Sequence, residues 1–248
     1  MTKSSLFAAL LAVSFVAASP ADAASGPAGE WQHWQPGNDV SNVASLQRGA
    51  ANFMGYCAGC HSLKYVRYSR MAADLKIPEE QLERLLLLPG QKKADYIITP
   101  LAAADGEAWF GKAPPDLSLI TRAKGSDYVF QFMKTFYSDP KTPTGMNNLA
   151  LSGTAMPHVL SALQGVQEAR FETRDGEQVW TGFEVVEPGL LSAEDYDAFL
   201  RDTVNFLEYA GEPAKAKREA LGVWVILFLL VFTLFAYLLK REYWKDVK

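Results

Sequence analysis

The sequence predicts a mainly α-helical domain with insertions, one of them a β-hairpin, followed by one C-terminal transmembrane helix. Three observations point there. Apolar side chains recur at three- and four-residue spacings around 46–53, 129–136 and 200–207. Leu221 to Leu239 is a run of 19 residues without a charge. Residues 57 to 61 read Cys57-Ala58-Gly59-Cys60-His61, the C-x-x-C-H spacing of covalent c-type haem attachment.

Taken in order, the first 23 residues have the build of a secretory signal. Lys3 supplies the positive start, Leu6 to Ala18 the apolar stretch, and Ala21-Asp22-Ala23 an A-x-A cleavage site. An uncleaved anchor is the competing reading. Residues 24–212 form the exported domain, enough chain to bury a real core. Gly26 to Gly37, rich in Gly, Pro and Trp, reads as an extended arm. Asp39 to Tyr56 is a helix, with Asp39 or Ser41 as N-cap and Leu46, Gly49, Ala50 and Phe53 on one side. It runs directly into the C-x-x-C-H. Pro78-Glu79-Glu80 opens a helix through Leu88, closed by Pro89-Gly90. Ser126 to Tyr137 is a further helix, with Val129, Phe130, Met133 and Phe136 facing inward. Phe171 to Val186 alternates around Asp175-Gly176, a hairpin signal. Ser192 caps a helix to about Ala210, with Asp195 at the capping-box position. The rest of the middle is irregular.

Residues 213–220 link this domain to the span at 221–239, and 240–248 form a short tail. At 1.5 Å per residue the span covers roughly 28 Å, enough to cross a lipid bilayer's hydrocarbon core. Trp224, Tyr237, Tyr243 and Trp244 stand where an aromatic belt belongs. Both flanks are basic, so the orientation follows from the signal. The domain is exported, the helix stops transfer, and the tail stays in the cytoplasm. That places a single-pass protein in a bacterial inner membrane with its haem domain in the periplasm.

The whole chain has a formal charge of −4, but residues 24–212 hold 16 Lys plus Arg against 24 Asp plus Glu, a charge of −8. An acidic domain argues against a nucleic-acid partner. It suits a basic protein partner, steered by long-range attraction, or serves solubility alone.

Each position of the C-x-x-C-H has its own task. The thiols of Cys57 and Cys60 add across the porphyrin vinyl groups, and His61 is held beneath the iron as proximal ligand. The bland readings are a small-loop disulfide or a thioredoxin-like dithiol. A dithiol motif follows a hydrophobic strand, whereas here the approach is an amphipathic helix. With two cysteines in the chain, no thiolate-rich zinc site can be assembled.

An electron-transfer haem needs a second axial ligand. Besides His61 the domain offers His33, His158, Met54, Met71, Met133, Met146 and Met156. Met54 is too close to Cys57 to fold over the opposite face, Met71 follows the motif too soon, and Met133 reads as core. Pro143 to His158 is a loop, able to bring one side chain over the iron. Within it Met156, stiffened by Pro157, competes with Met146 and His158. A thioether favours Fe(II) and raises the potential relative to a second His.

The chain after the signal resembles the cytochrome c1 family, the haem subunits of quinol–cytochrome c reductase (the cytochrome bc1 complex). The resemblance lies in Trp31-Gln32-His33-Trp34, Arg48-Gly49, the C-x-x-C-H, and Ser62-Leu63-Lys64-Tyr65-Val66-Arg67-Tyr68. It continues through Pro114-Pro115-Asp116-Leu117-Ser118, Asp127-Tyr128-Val129-Phe130, Ala155-Met156-Pro157 and the C-terminal anchor. It implies a c-type cytochrome haem domain with one covalent haem c and Met156 as distal ligand. It also implies Pro114 and Pro115 as a rigid wall on the haem edge and Tyr128 in the haem pocket. A basic residue at a haem propionate is implied as well, either Arg122 or Lys124. Its implied partners are cytochrome b, a Rieske iron–sulfur donor and a basic cytochrome c acceptor, within a dimeric complex. Many members carry an additional Cys pair that this chain lacks, so its distal loop must be held by packing and prolines. The rival readings are an anchored c-type subunit of a terminal oxidase or a free anchored carrier, a gas-binding haem domain with an open sixth site, and an exported dithiol oxidoreductase.

Overall fold

The computed structural model describes residues 26–246, so the signal predicted at 1–23 lies outside the described residues. After a short 3-10 turn at Glu30–His33, the chain forms α1 (Val43–Tyr56), β1 (Leu63–Arg67), α2 (Tyr68–Leu75) and α3 (Glu79–Gln81). Then come β2 (Tyr96–Ile97), α4 (Ala103–Phe110), α5 (Ile120–Lys124) and α6 (Ser126–Lys134). Next are β3 (Phe136–Ser138), β4 (Met146–Asn148), α7 (Ser161–Gln164), β5 (Gly165–Arg174) and β6 (Glu177–Pro188). The chain closes with α8 (Ala193–Gly211) and α9 (Lys215–Tyr243). The mainly α fold with small antiparallel strand pairs and one C-terminal apolar helix is the predicted class.

The main core forms where α1 packs on α8. Leu46, Ala50 and Phe53 on one side meet Leu200, Val204 and Phe206 on the other, all buried. The helices approach closely because Gly49 has no side chain: a Cβ there would lie 2.0 Å from the Asp202 carbonyl oxygen. A polar clasp borders this contact. The buried Asp202 carboxylate accepts from the Arg48 guanidinium and from the Ser45 hydroxyl, the latter at 2.6 Å. The N-cap of α1 is Asn42, whose side chain accepts from the Ser45 N–H at 3.1 Å, and neither Asp39 nor Ser41 takes that place. Asp39 instead accepts from the Ser41 N–H and hydroxyl in the preceding turn, one step too early to reach the helix. The cap of α8 is the predicted one: the Ser192 hydroxyl accepts from the Asp195 N–H at 3.1 Å.

The hairpin β5–β6 turns at Asp175 and Gly176, with φ of 54° and 86°. Two positive φ values match the twist of the flanking strands, which is why Asp-Gly marks such turns. The strands run beyond the predicted 171–186 at both ends. The hairpin buries a second, smaller core in which Trp31 and Trp180 meet Leu149 and Ala150. So the arm is no loose extension: Ala28 bridges to Val179, and Trp34 meets Trp180 edge-on at 5.6 Å.

Two predicted helices end early. α6 stops at Lys134 instead of Tyr137, because the Thr135 hydroxyl turns back to the Gln131 carbonyl at 2.8 Å and Phe136–Ser138 pairs with β4. The β-branched and aromatic Thr-Phe-Tyr triplet favours that extended pairing. The helix predicted from Pro78 to Leu88 continues beyond α3 only as a π-helical turn, Leu82–Leu86, which puts Leu82 and Leu86 into the core. α9 begins inside the stretch read as a linker. Its root is tied to the body by Lys215, which pairs with Glu208, while Glu208 also accepts from Asn38 and Ser126. Its apolar window has a mean hydropathy of 2.6 and none of it is buried, as a helix facing lipid requires.

Candidate haem site

The helix α1 delivers the motif and then stops. The N–H groups of Cys57 and Ala58 both donate to the Phe53 carbonyl, at 2.8 and 2.9 Å, and those of Cys60 and His61 fold back on the Cys57 carbonyl at 3.0 and 2.8 Å. This turn gathers two thiols and an imidazole at one helix end. Both cysteines are free and half-buried. Cys57 packs against the main core, and burial, with the neighbouring Cys60 adding to it, pushes its thiol up to about 12. A redox dithiol needs a lowered thiol pKa to present a thiolate, so this environment speaks against that chemistry.

His61 has a fixed orientation. Its Nδ1 lies 2.8 Å from the Pro115 carbonyl oxygen. A carbonyl only accepts, so the proton sits on Nδ1 and Nε2 keeps its lone pair. Burial lowers the imidazole pKa, partly opposed by the Pro115 contact and by Asp116, so the ring stays neutral. A neutral imidazole with its second nitrogen bound to a backbone carbonyl can serve as a metal ligand.

The segment 114–118 is stitched to the residues just after the motif. The Leu117 N–H donates to the Ser62 carbonyl at 2.9 Å. The Asp116 carboxylate accepts from the Lys64 N–H at 2.9 Å and from the Ser118 N–H at 3.0 Å, and the buried Ser118 hydroxyl accepts from the Tyr65 N–H at 3.3 Å. Thr99 closes the other side, its hydroxyl donating to the Gly59 carbonyl at 2.8 Å and its N–H to the Ser62 hydroxyl oxygen at 2.9 Å. Pro114 lies so near α4 that a Cβ on Gly106 would sit 2.8 Å from its Cδ. Asp116, Ser118 and Thr99 have no role in the sequence-based reading. For Asp116 the available signal is Asp-x-Ser, an Asx-turn pattern; for Thr99 there is none.

Cys57, Cys60, His61, Pro114 and Pro115 are thereby assembled around one short segment. Tyr128 on α6 is half-buried and stacks with Phe132 at 6.3 Å. Lys124, at the end of α5, lies 5.6 Å from the centre of the Tyr128 ring and pairs with no carboxylate among the described residues. Arg122 sits 3.8 Å from Glu212. Met156 stands half-buried in the loop after β4, its N–H 3.4 Å from the Thr154 hydroxyl oxygen. Of its competitors, Met71 and Met133 are buried in the main core and Met54 packs against it. Met146 is half-buried in β4 and His33 is exposed. The buried His158 ring lies flat on Phe136, with centroids 4.8 Å apart and planes 4° apart.

The donor set fits a haem. Two unpaired thiols and a neutral, oriented imidazole meet at a helix end, and among the described residues no group of His, Cys, Asp and Glu could hold a metal ion unaided. An iron bound here through His61 needs a macrocycle to complete its coordination.

A family model described as "Cytochrome C1 family" matches residues 31–87, 89–182 and 191–247. The chain is 48% identical to "Cytochrome c1" of Allochromatium vinosum over 88% of this chain and 91% of that protein. It is 41% identical to "Ammonia monooxygenase gamma subunit" of Nitrosomonas europaea, over 84% of this chain and 86% of that one. With "Cytochrome c1" of Rhodospirillum rubrum the identity is 28%, over 82% of each chain.

Proposed function

The chain belongs to the cytochrome c1 family, a family of electron-transfer cytochromes of the bc1 complex, and from that premise we propose its individual roles. It accepts one electron from a Rieske iron–sulfur protein and passes it to a basic cytochrome c, within a quinol–cytochrome c reductase that also contains cytochrome b. When bound, a c-type haem supplies the one-electron Fe(III)/Fe(II) couple. The protein's own residues do the rest. Cys57 and Cys60 would hold the macrocycle through thioethers. His61, oriented by its bond to the Pro115 carbonyl, would hold the iron through Nε2. Pro114 and Pro115 form a wall whose two fixed φ angles cost little entropy to order. Met156 would supply a thioether to the iron. Tyr128 would line the pocket, and Lys124 would meet a propionate, since Arg122 already faces Glu212. α9 anchors the domain in the bacterial inner membrane, with the haem side in the periplasm and the tail in the cytoplasm.

The observation that carries this reading is the His61–Pro115 bond inside a C-x-x-C-H at the end of α1. The test is a reduced-minus-oxidised visible spectrum of the tagged protein, purified from its native membranes in mild detergent. A c-type band accompanied by b-type bands supports the assignment. A c-type band alone favours an oxidase subunit or a free anchored carrier, and no haem band overturns the reading.

A further inference from the structure

The loop that carries Met156 leaves β4 directly, and two consecutive asparagines hold it. β3 and β4 pair with Phe136 opposite Asn148 and Tyr137 opposite Asn147. Asn148 is fully buried and its carboxamide is used on both ends. Its Oδ1 accepts from the Ala150 N–H at 2.9 Å and the Leu151 N–H at 3.1 Å. Its Nδ2 donates to the Phe132 carbonyl at 2.7 Å, at the end of α6. Asn147 reaches further along. Its Oδ1 accepts from the Gly153 N–H and the Asn148 N–H, both at 2.9 Å, and its Nδ2 donates to the Asp139 carboxylate at 2.9 Å.

These two side chains therefore grip the loop backbone at 150, 151 and 153 and fasten it to α6 and to the β3–β4 turn. On the far side of Met156, the His158 ring rests on Phe136, the residue paired with Asn148. Met156, half-buried, lies between these two fixed points. A turn of this kind leaves N–H groups without partners in a ladder or helix. A carboxamide satisfies them where an apolar side chain of the same volume could not.

We propose that Asn147 and Asn148 are positioning residues that hold the 149–160 loop so that the Met156 sulfur meets the iron. The inference rests on Met156 being the distal ligand. The physical reason is preorganisation: a loop already ordered loses little further entropy when the Met156 side chain binds. Prolines alone are thus not what holds this loop, because its backbone donors are bound by amide side chains.

The test uses full-length haem-loaded protein in detergent and four variants: Asn147→Ala, Asn148→Ala, Met156→Leu and Asn205→Ala. Asn205 is a buried amide on α8 that donates to the Asp39 carbonyl and the Ser45 hydroxyl oxygen, remote from the loop in sequence. Four quantities are read: the weak long-wavelength band of ferric iron bound to a thioether, the haem reduction potential, carbon monoxide binding to the reduced protein, and the unfolding temperature. The two loop variants should weaken the band, shift the potential toward that of Met156→Leu, and tighten carbon monoxide binding about tenfold, the scale of one lost buried hydrogen bond. Asn205→Ala should lower the unfolding temperature and leave the other three alone. If the loop variants retain wild-type band, potential and carbon monoxide affinity while Met156→Leu changes all three, the positioning role is overturned and the ligand stands. If Met156→Leu changes none of them, the ligand assignment fails and the inference falls with it. Should Asn148→Ala not fold, Asn147→Ala carries the same comparison.

Discussion

At the scale of single residues, His61 shows how one hydrogen bond selects a chemistry. The Pro115 carbonyl accepts a hydrogen bond from Nδ1–H and burial keeps the ring neutral, so the Nε2 lone pair is left available to a metal. The motif itself is legible in five consecutive residues, but its orienting partner is not, because Pro115 lies 54 positions away along the chain. Cys57 makes a testable case. Its folded thiol pKa, about 12, lies above the ordinary value of 9.0. A raised acid pKa means the stabilisation is complete below pH 9 and is lost as pH rises from there toward 12. In folded haem-free protein, alkylation of Cys57 by iodoacetamide at neutral pH should run about a thousandfold slower than in the urea-unfolded chain, and climb about tenfold per pH unit. Mass spectrometry of the labelled peptide reads this; equal rates in both states would restore the thioredoxin-like dithiol reading.

At the scale of elements, the α1–α8 contact depends on an absent side chain. Gly49→Val should force the helices apart and cost about 1–3 kcal/mol or more, since the new Cβ would collide with backbone. Gly55→Ala on the same helix meets nothing within 4 Å and should be neutral or stabilising by about 0.5–1 kcal/mol. Urea unfolding of both haem-loaded variants checks the pair; equal stabilities would mean the close approach does not matter. Legibility at this scale followed the strength of local signals. α8 has a Ser cap and a long apolar face, and the hairpin has Asp-Gly, so both were readable. The end of α6 was not, since Phe136 continues the helical spacing yet pairs with Asn148 in a strand. The short helices α2, α4 and α5 were missed as well, each too brief for periodicity to stand out.

At the scale of the molecule, charge and apolarity are segregated. The body at 24–212 has a formal charge of −8, while basic residues flank the apolar run of α9. An anionic electron carrier should attract a cationic acceptor over distances that salt shortens. Raising the ionic strength from about 0.01 M to about 0.15 M cuts the Debye length from about 30 Å to about 8 Å. Electron transfer to a cationic c-type cytochrome should slow by about tenfold or more over that range, measured by stopped-flow absorbance. A rate independent of salt would assign the acidic surface to solubility alone.

The haem-attachment motif, the apolar C-terminal run and the amphipathic helices are readable from the sequence alone. Each of those is written in neighbouring residues: a five-residue motif, an uncharged run of 19, and apolar faces of fixed period. How the candidate haem residues are held emerges once the chain has folded. Pro115 on His61, Gly49 under Asp202, and Asn147 and Asn148 around the Met156 loop are matters of contact geometry. A hydrogen bond or a missing Cβ acts across space, and its partner is not specified until the chain has folded back on itself.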